Sequence, residues 1–98
     1  MHIALAPFTL REGVTEEVLL ATSDDFEQQF VAQQDGIVKR ILVRDGNAGY
    51  AHIVFFRDAA AIDRVIEAEQ DSDVCSAFFS IMDGDESHRV YEVLKTYG

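Results

Sequence analysis

The stretch Tyr50 to Phe56 alternates with period two, as a strand does, yet both of its faces are apolar. Ala51, Ile53 and Phe55 lie on one side, and Tyr50, His52, Val54 and Phe56 on the other. The opening segment behaves alike, with Ile3, Leu5, Pro7 and Thr9 set against Ala4, Ala6, Phe8 and Leu10. Strands apolar on both faces are normally covered on both. A chain of 98 residues is one domain and has few elements with which to cover a sheet twice. Its own helices can cover one face. The second face then points to a twin, an isologous homodimer.

The remaining chain supplies those helices. Thr15 is placed to cap a helix whose first turn carries Glu16 and Glu17, at the end where carboxylates suit the dipole. Leu19, Thr22, Phe26 and Phe30 recur at helical spacing, which predicts a helix to about Gln34, stopped by Asp35-Gly36. From Ile37 to Arg44 the pattern returns to period two, with Ile37, Lys39, Ile41 and Val43 on one face and Val38, Arg40, Leu42 and Arg44 on the other. The run Asp45-Gly46-Asn47-Ala48-Gly49 tolerates turn geometry and predicts a hairpin into Tyr50 to Phe56. Asp58 then caps a second helix with Ile62, Val65, Ile66 and Glu69 on one stripe. It weakens at Asp71-Ser72-Asp73, and the apolar run Val74 to Met82 suits a further helical turn or two. Asp83-Gly84-Asp85 reads as a turn, before a last strand from about Ser87 to Lys95. The order β-α-β-β-α-β predicts an α+β, ferredoxin-like domain over residues 1–98. It would carry a four-stranded antiparallel sheet with helices on one face, completed by a second copy into a homodimeric α/β barrel.

A net charge of −10 argues against nucleic acid and against anionic membrane surfaces. The one basic cluster, Lys39, Arg40 and Arg44, reads as an exposed strand face. Cys75 is the single cysteine, so there is no intrachain disulfide and no CxxC site; within its apolar run it reads as a buried, inert thiol. Neither a basic n-region followed by an apolar stretch nor a membrane-length apolar run is present, and the expectation is a cytoplasmic protein.

Several residues also carry a resemblance. The features are Leu10-Arg11-Glu12-Gly13 after the first strand, the acidic helix, Gly36 opening the second strand, Ile53-Val54-Phe55-Phe56, and Asp71-Ser72-Asp73-Val74 after the second helix. By these the whole chain resembles the dimeric α/β-barrel superfamily, and within it the antibiotic-biosynthesis-monooxygenase-like group. That group holds cofactor-independent, quinone-forming monooxygenases and haem-degrading enzymes. The resemblance implies, for the haem-degrading members, an Asn on the first strand, a Trp near the end of helix two and a His soon after. Here those places fall on Ala6, Glu69 and Phe79. Phe79 has no donor atom for iron, which argues against haem degradation.

The aligned first strand turns Ala4, Ala6 and Phe8 toward a pocket on the open sheet face, shared with Tyr50, His52, Val54 and Phe56. Phe79 and His88 are assigned to the same pocket. An apolar cleft with few polar handles takes a small hydrophobic or aromatic molecule. His52 is the candidate general base on a phenol or enol and Tyr50 the group that orients it; the plainer reading of His52 is a hydrogen-bonded sheet histidine. Two functions follow: a binding protein for a small apolar molecule, or a cofactor-independent monooxygenase. No cofactor is called for. His2, His52 and His88 sit on different strands without metal-ligand spacing, so no metal site is expected. His2 is read as exposed, Glu69 as a helix-end carboxylate reaching water in preference to a buried catalytic carboxylate with a raised pKa, and Asp83, Asp85 and Glu86 as a solvated turn.

Overall fold

The computed structural model describes residues 1–47, 49–83 and 88–98. Strand β1 (His2–Leu10) is followed by helix α1 (Glu16–Gln29) and a single 3-10 turn (Val31–Gln33). The hairpin strands β2 (Ile37–Arg44) and β3 (Tyr50–Phe56) come next, then helices α2 (Ala59–Glu69) and α3 (Asp73–Ser80). Two short strands, β4 (Met82–Asp83) and β5 (Arg89–Glu92), complete the fold. The sheet order is β2-β3-β1-β4, all antiparallel, and β5 also pairs with β1. The last sheet position is thus shared. Residues His2 to Leu5 of β1 pair with β5, and Thr9 and Leu10 with β4. The sequence anticipates one longer final strand there. Ser87, its expected start, and Asp85 and Glu86 of the expected turn lie outside the described residues, as does Ala48 in the hairpin loop. The fold is the anticipated α+β, ferredoxin-like one, with the helices on one face of the sheet.

Local chemistry accounts for the boundaries. Thr15 accepts from the Val18 amide at 3.3 Å, Asp58 from Ala61 at 2.8 Å and Ser72 from Cys75 at 3.3 Å, so each helix begins on a side-chain cap. The first helix stops earlier than its periodicity suggests. At Phe30 the backbone turns to φ −130°, and both Phe30 and Val31 drop into the core. Its inward stripe runs Leu19, Ser23, Phe26, Phe30, with Ser23 rather than Thr22 as the small polar member. The core is aromatic at its centre. Phe26 stacks on Phe78 at 4.5 Å and on Phe30 at 5.6 Å between centroids, and Phe78 and Cys75 are fully buried. Cys75 is thus the buried thiol its context suggests.

A bulge at the start of β2 changes which residues share a face. Ile37 pairs with Phe56 and Lys39 with Phe55, leaving Val38 as the extra residue. Strict alternation groups Ile37 with Lys39; the bulge instead turns Ile37 to the helix side, while the Lys39 ammonium lies 5.7 Å from the Phe55 ring on the far side. Gly36, just before the bulge, lies against α2. A methyl group there would overlap the Ala61 side chain and come within 3.3 Å of its Cα. Gly36→Ala is therefore expected to destabilise the domain by about 1–3 kcal/mol, the range for overpacking. Urea unfolding checks this, and Ala61→Gly in the same chain should return part of the loss.

The far face of the sheet carries Ile3, Leu5, Ile41, Val43, Ile53 and Phe55. All are half-buried, with no helix over them among the described residues. No helix among the described residues is long and apolar enough to cross a membrane.

Candidate functional site

Two successive inward positions on β1 are alanines, Ala4 and Ala6, while the helices opposite are held off by large side chains. The result is a cavity of about 500 Å³ between sheet and helices. Its floor is Ala4, Ala6 and Phe8 of β1, Ile37 and Arg40 of β2, and His52, Val54 and Phe56 of β3. Phe26 and Phe30, then Ile62, Val65 and Glu69 of α2 and Phe79 of α3 form the roof. Exposed Arg11, Asp83 and His88 stand at its rim. The pocket is therefore on the helix-covered face, not on the open face where it was expected. The strand face bearing Phe8 and His52 is the one the helices pack on. Of the residues assigned to the pocket from sequence, Phe8, His52, Val54, Phe56, Phe79 and His88 all line it. So do Ala6, Glu69 and Phe79, the three positions the family resemblance singles out.

Tyr50 is the exception. Its ring stacks on Phe8 at 5.8 Å, but its hydroxyl donates to Glu16 Oε1 at 3.2 Å at the start of α1, and it does not line the cavity. Arg44 binds the same carboxylate through Nε and Nη2, at 2.7 and 2.8 Å, and that hydrogen bond holds the Glu16 carboxyl below its usual range. Tyr50 thus supports Phe8 from behind, rather than orienting a ligand directly.

His52 sits opposite Ala6 in the β1–β3 register and is only 7 % exposed. Its Nε2 lies 2.7 Å from Arg40 Nη1. Arg40 is not the exposed strand residue the basic cluster suggests: its side chain is 8 % exposed. Nε donates to Glu27 Oε1 at 3.0 Å, Nη1 also to Ser23 Oγ at 2.9 Å, and Nη2 to the Ser23 carbonyl at 3.0 Å. The guanidinium lies 5.1 Å from the Phe26 ring centre and 6.0 Å from that of Phe78, a cation–π clamp. Burial first, and then the Arg40 charge, push the His52 pKa down to about 4. His52 is neutral at pH 7 with one ring nitrogen committed to Arg40. The general-base role expected for it does not fit this geometry.

Glu69 ends α2 half-buried and lines the cavity, and burial pushes its pKa up to about 7. The expectation that it simply reaches water is corrected. Burial thus brings its proton equilibrium close to neutral pH within the cavity. His2, expected to be exposed, is half-buried, with its Nδ1 lacking a partner among the described residues and its Nε2 3.8 Å from Glu92. Among the described residues no three His, Cys, Asp or Glu side chains converge on a shared metal position.

Arg40, Ser23 and Glu27 are what sequence reasoning missed. The signal was present: an arginine in the inward row with Leu42, and a serine inside the apolar stripe of α1. Each alone is ordinary, and only their meeting with His52 makes a network.

No protein-family model and no curated protein matches the chain. Solved structures do. SnoaB, a cofactor-independent oxygenase from Streptomyces nogalater, superposes with a TM-score of 0.75 at 20% identity, over 97% of this chain and 94% of the other. An antibiotic biosynthesis monooxygenase gives 0.73 at 13% identity, over 97% and 100%. A point mutant of MhuD, with two manganese protoporphyrin IX bound per active site, gives 0.70 at 15% identity, over 100% and 99%. At such identities the likeness is one of fold. The chain has the ferredoxin-like fold of the antibiotic-biosynthesis-monooxygenase-like proteins.

Proposed function

We propose that this chain binds a small, apolar aromatic molecule in the cavity between sheet and helices, and that it does so as a homodimer joined through the open sheet face. The cavity carries the reading. At about 500 Å³ it falls within the range of small-molecule sites, and its walls are mostly apolar with His52 and Glu69 among them. The half-buried apolar row on the opposite face supports the dimer. Native mass spectrometry of the purified protein tests both at once. A dimer carrying an additional small mass is expected; a stable monomer would remove the dimer, and failure to take up any of a panel of bicyclic aromatics would remove the binding reading. Ala6→Phe fills the floor beneath the ligand. It is expected to weaken aromatic binding at least tenfold in calorimetric titration while the circular dichroism spectrum stays unchanged.

A second reading, cofactor-independent oxygenation of a phenol or enol, is favoured by Glu69. A carboxylate titrating near 7 beside an apolar cavity suits removal of an acidic phenolic or enolic proton. In such a reaction a substrate CH₂ reacts with dioxygen, one oxygen atom becoming the new carbonyl and the other leaving as water. Four electrons pass from substrate to dioxygen, and no separate reductant is consumed. The similar fold of SnoaB, a cofactor-independent oxygenase, supports the reading. Glu69→Gln is expected to lower anthrone-dependent oxygen uptake at least a hundredfold with little change in anthrone affinity. Undiminished uptake would exclude Glu69 as the base.

A further inference from the structure

We infer that Arg40 holds His52 as a neutral hydrogen-bond donor, so that the ligand this cavity selects carries an acceptor oxygen (a ketone, quinone or phenolate) at His52 Nδ1. This rests on the binding reading above and specifies its substrate class. A guanidinium has donors only and stays protonated. Its 2.7 Å contact with Nε2 therefore requires the Nε2 lone pair, which places the single imidazole proton on Nδ1.

The arginine has no freedom to offer another arrangement. Glu27, Ser23 Oγ and the Ser23 carbonyl take its remaining well-placed donors, and Phe26 and Phe78 hold its plane. A doubly protonated His52 would set two donors against each other at that contact. Nδ1 has no hydrogen-bond partner among the described residues, while the ring lines the cavity. An unpaired donor on a ring that lines a mostly apolar cavity discriminates strongly, because a ligand lacking the acceptor shuts it from solvent without a partner. Arg40 is thus a positioning residue: it acts through His52, setting which atom of the ring presents a proton.

The test pairs two readouts. In the ¹⁵N-labelled protein at pH 7, the imidazole correlations of His52 should show the neutral Nδ1–H form. In Arg40→Met that preference should relax toward a mixture. For binding, 1-tetralone and tetralin share a skeleton and differ by one carbonyl. The wild-type chain should bind the ketone roughly tenfold more tightly, and His52→Phe should abolish the difference while still binding tetralin. Should Arg40→Met fail to fold, the wild-type tautomer and the His52→Phe comparison still decide. An Nε2–H or imidazolium form in the wild-type protein would overturn the inference. Equal affinity for the two compounds overturns it and leaves the binding reading standing, whereas no binding of either overturns both.

Discussion

Replacing Arg40 by methionine is expected to cost about 3 kcal/mol of stability, and so to lower the melting temperature by roughly 15 °C in a domain of this size. The loss comes from what is left behind. Ser23 Oγ, the Ser23 carbonyl and His52 Nε2 all lose their shared donor in a place that water reaches poorly, since the arginine side chain is 8 % exposed. Each buried group left unsatisfied costs about 1–3 kcal/mol, and partial rearrangement or an entering water returns some of it. Glu27 contributes less, because its side chain is 45% exposed and solvent screens its pairing with Arg40. Glu27→Gln should therefore shift the urea midpoint far less than Arg40→Met does. A triple variant, Arg40→Met with Ser23→Ala and His52→Leu, removes donor and side-chain acceptors together and should recover much of the stability, as apolar replacement of a buried polar network often does. Comparable losses for Glu27→Gln and Arg40→Met would place the energy in the ion pair instead.

The second large effect is in pH, and it is partly concealed in the wild-type chain by two opposed groups. Folding holds the His52 pKa down to about 4, through burial first and the Arg40 charge second, against an ordinary value of 6.5. Below pH 6.5 the unfolded chain binds a proton that the folded chain refuses. The His52 contribution is therefore complete above 6.5 and lost as pH falls toward 4, a difference of about 3 kcal/mol. Glu69 runs the other way. Burial pushes its carboxyl up to about 7, so the folded chain keeps a proton that the unfolded chain releases near 4.5. Its contribution is complete below 4.5 and lost as pH rises toward 7. Glu69 is only half-buried, so its effect is the smaller.

Between 4.5 and 6.5 the two slopes oppose one another, and the wild-type stability should fall toward acid pH by less than His52 alone would give. Glu69→Gln removes one slope and should expose the full acid-side loss of His52. His52→Gln should leave the shallower fall toward pH 7. Urea midpoints measured every half unit from pH 4 to 8 check this. Identical curves for the wild type and both variants would show that neither group is held as the structure places it.

The strand faces explain why the architecture is legible before any coordinates. Period two in Tyr50 to Phe56, helical spacing at Leu19, Phe26 and Phe30, and the capping residues Thr15 and Asp58 are local patterns. Local patterns follow from backbone geometry and apolar burial, which neighbouring residues are enough to specify. The end of α1 at Gln29 escaped because Phe30 and Val31 leave the helix to reach a core assembled from distant segments. The shift at Ile37 escaped because a single bulged residue leaves no mark in composition.

The site divides the same way. Which residues of β3 share a face with His52 follows from alternation alone, so Val54 and Phe56 were in reach, while the family resemblance turned Ala6 and Phe8 toward the pocket and pointed to Glu69 and Phe79. That the helices, rather than the open side, cover that face required the packed structure. The chemistry of the cavity required it too. Arg40 is 12 residues from His52 and 17 from Ser23 along the chain, and no sequence pattern sets their separation in space. A proton's preference depends on burial and on the nearest charge, and both arise only when strand and helix close on each other. The sequence by itself determined that a two-faced apolar sheet would form and, within β1 and β3, which side chains would share its faces. The tertiary structure decided that His52 meets an arginine and that Glu69 meets a cavity, because desolvation and pairing are properties of assembled surfaces.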